Sequence, residues 1–336
     1  MPKLLRVQIA FLMALLVISI GIRIFVLNPA SSRPDADAED LGVMAPAVTQ
    51  PSDSNTDTEP TQPVISISPN FPDVQLLATN AFAFDLEKQE LLYCKGGLDD
   101  KIYPASITKL FSTFVALQYL DPETVITAGD ELELVAEGSS LAYIKQGHQL
   151  TVATLVEGML LPSGNDAAHI LAAAAGRAIA GDPDLSAQEA VSHFVAQMNA
   201  SAQALGMDDS HFCNPDGFHD DDHYTTIRDL LTIARLALEN DTIRGIMGLH
   251  EDDVCFVSGE TILWRNTNLL LHPESKFYCP EAVGMKTGYT DTAGNCLMSA
   301  FQVNGKYIII GVFGCPESED RFVDTLALYD ALFENY

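Results

Sequence analysis

With 336 residues, 47% of them hydrophobic, the chain can bury one large core or two smaller ones. Its 46 acidic and 18 basic residues give a formal charge of −28, which repels polyanions and excludes nucleic acid as a natural partner. The 38 acidic and 14 basic residues after Gln75 are spread along the chain, and their excess reads as solubility rather than as a site.

At the amino terminus, Lys3 and Arg6 precede an apolar run from Val7 to Leu27 whose only charge is Arg23. At about 1.5 Å per residue this run can cross a bilayer core of ~30 Å. The basic flank before it and the acidic flank after it place the start in the cytoplasm and the rest outside. We therefore expect one transmembrane helix over residues 7–27, with the remainder extracytoplasmic at the cell membrane. A cleaved signal peptide, with Ala36 to Ala38 as the processing site, is the alternative. Residues 28–75 are acidic, rich in Pro, Ser, Thr, Asp and Ala and poor in aromatics, a composition that predicts a disordered tether. The domain proper is expected over 76–336.

The folded part starts with two alternating runs, Ala78 to Leu86 and Gln89 to Lys95, which predict a hairpin. Helical spacing of Leu110, Phe111, Phe114, Val115 and Leu117 predicts a largely buried helix over 106–120. Thr151 reads as the N-cap of a helix through Leu161, and after Pro162-Ser163-Gly164 an alanine-rich helix is expected over 165–180. Further helices are expected over 186–205 and 226–239. The period then changes to two over 281–288, 295–303 and 306–314, with Asn304-Gly305 as a hairpin turn, and a helix over 319–333 closes the chain. Strands at both ends with helices between predict an α+β fold in which the terminal segments share an antiparallel sheet and the middle forms a helical lobe. A cleft between sheet and lobe is the place for a substrate.

Three short motifs carry chemistry. Ser106-Ile107-Thr108-Lys109 puts a hydroxyl and an amine on the same face of one helical turn. Pro104 before it places Ser106 at the first turn, where N–H groups favour developing negative charge. An amine can accept a proton near neutral pH only if burial or a second cation depresses its pKa. Taken alone, S-x-x-K is expected about once by chance in a chain of this size, and an ordinary polar pair explains it equally well. Ser163-Gly164-Asn165 falls in a break between two apolar helices, where polar groups need partners; it reads as a proton relay and an amide for a substrate carbonyl, or as a helix cap. Lys286-Thr287-Gly288 sits on a predicted strand, its glycine permitting close approach of a ligand or backbone and its lysine supplying the second cation. The order and setting of the three together outweigh any one of them. Ser68-Pro69-Asn70, a second S-x-N, lies in the tether and is discarded.

Other features read as ordinary structure. Cysteines 94, 213, 255, 279, 296 and 315 lack the spacing of a zinc site and read as buried thiols, with disulfides open if the domain is exported. His219-Asp220-Asp221-Asp222-His223 reads as a solvated acidic loop rather than a metal cluster, and Trp264 and Tyr278 as core residues. There is no G-x-G-x-x-G or Walker sequence, so no nucleotide is implied.

The three motifs, with PASITKL, LPSGNDAA, NPDGFHDDDHYTTIRDL, NTNLLL and GMKTGYTDTAGNCLMSA around them, resemble the serine D,D-peptidases of the penicillin-binding protein and β-lactamase superfamily, and most of all the low-molecular-mass D-alanyl-D-alanine carboxypeptidases. The resemblance implies that fold, an acyl-enzyme on Ser106 with Lys109 as base, and Ser163 and Asn165 on the facing wall. It also implies that Lys286, Thr287, Gly288, Tyr289 and Thr290 bind substrate, that N–H groups of Ser106 and Tyr289 form an oxyanion hole, and that Arg228 of TTIRD adds to carboxylate binding. Tyr289 stands where some relatives have His. The implied reaction is removal of the terminal D-Ala from peptidoglycan stem peptides, inhibited by β-lactams, with no metal or organic cofactor. The rivals are a D,D-endopeptidase, a silent penicillin sensor or wall-binding module, and a β-lactamase. No segment resembles the Glu-bearing loop of class A β-lactamases, and the carboxy-terminal β-domain and anchor of many relatives are expected to be absent.

Overall fold

A computed structural model describes residues 65–333 of the chain. The apolar run over 7–27 and the tether up to residue 64 lie outside the described residues. Among the described residues no helix is long and apolar enough to cross a membrane.

The chain enters as a short strand, β1 (Ser66–Ile67), and continues into the hairpin β2 (Asn80–Asp85) and β3 (Glu90–Lys95). A turn of 3-10 helix, Ala105–Ile107, leads into α1 (Thr108–Ala116). After β4 (Val125–Thr127) and β5 (Gln149–Thr151) come α2 (Val152–Leu160), α3 (Asn165–Ala180), α4 (Ala187–Ala204), α5 (Ile227–Glu239) and α6 (Asp241–Met247). A small hairpin, β6 (Glu251–Cys255) and β7 (Thr261–Arg265), precedes β8 (Ala282–Thr290), β9 (Gly294–Val303) and β10 (Lys306–Cys315), and α7 (Asp320–Phe333) follows.

The main sheet runs β1-β3-β2-β10-β9-β8. Residues from both ends of the sequence meet at its centre, with Ile310 opposite Ala83 and Ile309 opposite Phe84. The expected antiparallel sheet holds except at its edge, where β1 pairs parallel with β3 through Ser66 and Ile67 opposite Glu90 and Leu91. This corrects the tether boundary: residues 65–75 belong with the folded unit, because the short Ile65-Ser66-Ile67-Ser68 alternation finds an open edge on β3 (Ser68 N–H to Leu91 O, 2.9 Å).

Strand alternation sorts the two faces. Phe82, Phe84, Met298 and Ile309 join the core under the helical lobe, whereas Ala81, Ala83, Ile308, Ile310, Leu297 and Phe301 pack with Phe322 and Leu328 of α7. At the centre of the lobe stands α1, with every residue except Phe114 buried, as a helix apolar on more than one side must be. It is shorter than the expected 106–120, since its last turn tightens (Gln118 N–H to Val115 O) and Pro122 cannot continue it. The other caps follow the sequence: Thr151 and Thr226 accept from Thr154 and Asp229 N–H, and Ser186 with Glu189 forms a capping box, each contributing about 1 kcal/mol. The six cysteines are all unpaired. Trp264 is core, its indole N–H donating to Ala142 O at 3.0 Å. Tyr278, expected there too, is 44% exposed.

Candidate active site

One wall of the cleft is built on α1 and α3. Ser106 lies in the 3-10 turn that opens α1, and Lys109, one turn later, has no solvent-exposed surface. The Lys109 ammonium donates to Ser106 Oγ (2.8 Å), Asn165 Oδ1 (2.8 Å) and the Asp216 carbonyl (2.7 Å), so each of its protons has an acceptor. Burial pulls its pKa down to about 8 against the opposing pull of the Asp216 and Asp166 carboxylates. Once deprotonated, Nζ keeps two protons for Asn165 and Asp216 and turns its lone pair to Ser106 Oγ, the geometry of a general base.

The S-x-N break is held by its neighbours. Ser163 is buried at a left-handed φ of 66°, and Asn165 spans the cleft floor, its Nδ2 donating to Ser139 Oγ at 2.9 Å. The adjacent Asp166 is structural: its carboxylate accepts from Ala142 N–H (2.8 Å) and Ile144 N–H (3.0 Å), pinning the segment beside the cleft.

The other wall is β8, an edge strand of the sheet. Thr287, Gly288, Tyr289 and Thr290 line a cleft of about 550 Å³ together with Ser106, Ser139, Ser163 and Asn165. A Cβ on Gly288 would sit 3.0 Å from both Pro104 O and Ala105 Cβ, and 3.2 Å from Ser106 N, so the absence of a side chain there lets strand and nucleophile approach. Gly217 serves the same junction from the opposite side: at φ 79° a Cβ would lie 1.9 Å from Ala105 O. Thr287 Oγ1 shares a hydrogen bond with Thr267 Oγ1 (2.5 Å), Thr290 Oγ1 accepts from Ala293 N–H, and the exposed Tyr289 hydroxyl donates to Asp291.

Lys286, expected to bind substrate, is not among the residues lining the cleft. It is fully buried beneath the strand, donates to Thr287 O (3.1 Å), and is driven well below its ordinary pKa by burial, then by the charges of Lys109 and Arg321. The cation that does line the cleft is Arg321, at the start of α7. Its Nη1 donates to Gly288 O (3.2 Å), and its buried Nε has no partner.

Arg228 is not part of this arrangement. It forms a paired contact with Asp99 (2.6 and 3.1 Å) and lines a separate depression with Ile65, Phe84 and Gln89. The acidic loop is also corrected in part. Asp220 to Asp222 are exposed, but His223 is buried, accepting Cys213 N–H at Nδ1 (3.1 Å) and meeting Thr108 Oγ1 at Nε2 (2.8 Å). Burial lowers its pKa to about 4, so it is a neutral strut between this loop and α1. The sequence reading missed Asp216, Ser139, Thr267 and Arg321. Asp216 and Thr267 lie inside two of the blocks that resemble the family, and Arg321 is the only basic residue after Lys306.

A hydroxyl hydrogen-bonded to a buried amine of lowered pKa, facing an edge strand, is the arrangement that serine acyl transfer requires. Residues 66–317 match the D-alanyl-D-alanine carboxypeptidase family, and the chain belongs to that family. It is similar to the D-alanyl-D-alanine carboxypeptidase DacF of Bacillus subtilis (strain 168), 28% identical over 263 residues, which cover 77% of this chain and 63% of that protein. Among solved structures, it is similar to the Streptomyces K15 DD-transpeptidase, with a TM-score of 0.68 and 28% identity over 79% of this chain and 99% of the other. Penicillin-binding protein D2 of Listeria monocytogenes, solved in its ampicillin-bound form, gives 0.63 and 26% over 77% and 99%. The overall mixed α/β architecture is thus that of the D,D-peptidases.

Proposed function

We propose that the chain is a serine D-Ala-D-Ala carboxypeptidase that removes the terminal D-Ala from peptidoglycan stem pentapeptides. Ser106 Oγ attacks the carbonyl of the penultimate D-Ala while its proton passes to neutral Lys109. The tetrahedral oxyanion is held by N–H groups of Ser106 and Tyr289. Collapse breaks the peptide bond, and the leaving amine of D-Ala takes a proton relayed through Lys109 and Ser163. Water then attacks the ester, releasing the shortened peptide and restoring the Ser106 hydroxyl. The terminal carboxylate lies against Thr287, Thr290 and Arg321, and its arrival favours the charged form of Lys286 below.

The observation that carries this reading is the 2.8 Å contact between Ser106 Oγ and the buried Lys109 Nζ. The same serine is the site of acylation by β-lactams, and residues 7–27 hold the enzyme at the outer face of the cell membrane, a placement supported by the charge asymmetry around that run. Incubation with a labelled penicillin and with a diacetyl-lysyl-D-Ala-D-Ala peptide tests the assignment. Label on Ser106 and release of D-Ala are expected, both abolished in Ser106→Ala. Label without release would point to a sensor, and rapid penicillin turnover to a β-lactamase.

A further inference from the structure

Between the small hairpin and β8 the chain passes through Asn266-Thr267-Asn268, and the two outer residues are clamped. Asn266, 3% exposed, donates from Nδ2 to Met247 O (3.2 Å) and Leu249 O (2.9 Å) and accepts Asn268 N–H at Oδ1 (2.9 Å). Its carbonyl accepts from Nε2 of the buried His272 (2.7 Å). Asn268, without exposed surface, donates to Ser299 Oγ on β9 (3.0 Å) and accepts Leu270 N–H (3.2 Å). The backbone N–H of Thr267 bonds Leu161 O (3.1 Å), two residues before Ser163. Paired buried amides of this kind fix a backbone, because any shift strands a polar group.

The side chain of Thr267 is left out of that clamp. It turns into the cleft, where its Oγ1 lies 2.5 Å from Oγ1 of Thr287. Among the described residues neither hydroxyl has a further hydrogen-bond partner. Each hydroxyl has one proton to give, and only one of the two protons can occupy the contact between them. That choice decides what Thr287 shows to the cleft: a donor if Thr267 gives its proton, lone pairs if Thr287 does. A carboxylate is an acceptor only, so its presence selects the first arrangement, a chain running from Thr267 to Thr287 to the anion. Hydrogen bonds aligned in this way strengthen one another by roughly 10–30%, and the β-branched Thr287 has few rotamers to choose among.

We infer that Thr267 is a positioning residue for carboxylate recognition: its hydroxyl, held in place by the clamped asparagines, donates to Thr287 Oγ1 and aims the Thr287 proton at the terminal carboxylate. The strand wall thereby favours an acid over an amide at the end of the peptide. The inference rests on the carboxypeptidase reading and adds what sets the polarity of that wall.

Two substitutions in the full chain test it. Thr267→Val keeps the shape of the side chain and removes the hydroxyl, whereas Thr267→Ser keeps the hydroxyl. Thr267→Val should lower kcat/KM for a peptide ending in D-Ala-D-Ala about fivefold, the loss of one hydrogen bond, while the matching carboxamide peptide changes by less than about twofold. Thr267→Ser should keep the acid-to-amide ratio within about twofold of the parent. In a Thr287→Val background, Thr267→Val should cost less than about twofold, since the hydroxyl it serves is gone. Equal losses on acid and amide, or the same loss with and without the Thr287 hydroxyl, would overturn the positioning role and leave the carboxypeptidase intact. A parent chain that neither releases D-Ala nor takes penicillin label on Ser106 would instead remove the reading on which the inference rests, and the inference with it.

Discussion

Each wall of the cleft buries a lysine without exposed surface, yet the two are treated differently. Lys109 is surrounded by three oxygen acceptors, with the carboxylates of Asp216 and Asp166 near it, and its pKa falls only to about 8. Lys286 has the single carbonyl of Thr287 and two cations for neighbours, Lys109 and Arg321. Burial penalises both charges; the acceptors decide how much of the penalty remains. The helical wall therefore holds an amine whose charge burial and acceptors nearly balance, whereas the amine of the strand wall is pushed further from its charged form by burial and by two neighbouring cations. Arg321, always protonated, is the standing cation of the cleft.

Removing the base should give the largest effect. Lys109→Gln keeps a polar side chain able to bond Asn165 and Asp216 but offers no basic amine. Second-order acylation of Ser106 by a penicillin should fall by about 10³-fold, with a melting temperature close to that of the parent. A fall of less than about tenfold would mean that Lys109 is not the base.

The strand wall gives the next effect. Arg321→Gln should lower kcat/KM for a peptide ending in D-Ala-D-Ala by about 10- to 100-fold, mostly through KM, the loss of a hydrogen-bonded charge contact. The corresponding carboxamide peptide should be a poor substrate for the parent and lose little further in the variant. Equal losses on both peptides would place Arg321 outside carboxylate recognition and return that role to Lys286.

A smaller, directional effect concerns pH. As the proposed base Lys109 has to be neutral, and because burial depresses its pKa, the neutral fraction rises with pH through about 8, amounting to roughly a tenth at pH 7. Acylation should accordingly climb with a midpoint near pH 8 and level off above it. The buried Asp216 carboxylate raises the pKa of Lys109; its own pKa, which burial alone would raise, is lowered by His169, 3.4 Å away, by Lys109 and by Phe218 N–H. Asp216→Asn should move the midpoint of the acylation profile to lower pH. An unchanged midpoint would show that the backbone cage alone sets the behaviour of Lys109.

The uneven legibility of this site has a physical origin. Ser106 and Lys109 were readable because helical geometry ties residues three apart, and β8 to β10 because strand period and the Asn304-Gly305 turn are local. The convergence of the three motifs followed from the terminal strands sharing a sheet, and there Ile310 does meet Ala83. Asp216 escaped notice because its hydrogen bond to Lys109 comes from a backbone carbonyl, which any residue type could supply, and because the effect of its carboxylate depends on a tertiary approach that no local pattern announces. Arg321 is 35 positions beyond Lys286 and reaches Gly288 only because α7 packs back over the sheet. Tyr278 and His223 were misplaced for the reason that composition fixes no tertiary partner: an aromatic in a loop can stay outside, and a histidine in an acidic loop can turn inward to Thr108.

Arg228 offers the gentlest test. Its sequence neighbourhood resembles a family block, but α5 carries it to the lobe's flank, where Asp99 takes both of its forks and holds its pKa up while Arg228 lowers that of Asp99. The pair is partly open to solvent, so it contributes at most about 1 kcal/mol. Arg228→Gln should leave acylation and D-Ala release within about twofold of the parent and lower the melting temperature by no more than ~4 °C. A loss on D-Ala-D-Ala peptides as large as that of Arg321→Gln would mean that the substrate reaches beyond both walls described here, and that a residue can matter to the carboxylate without lining the cleft.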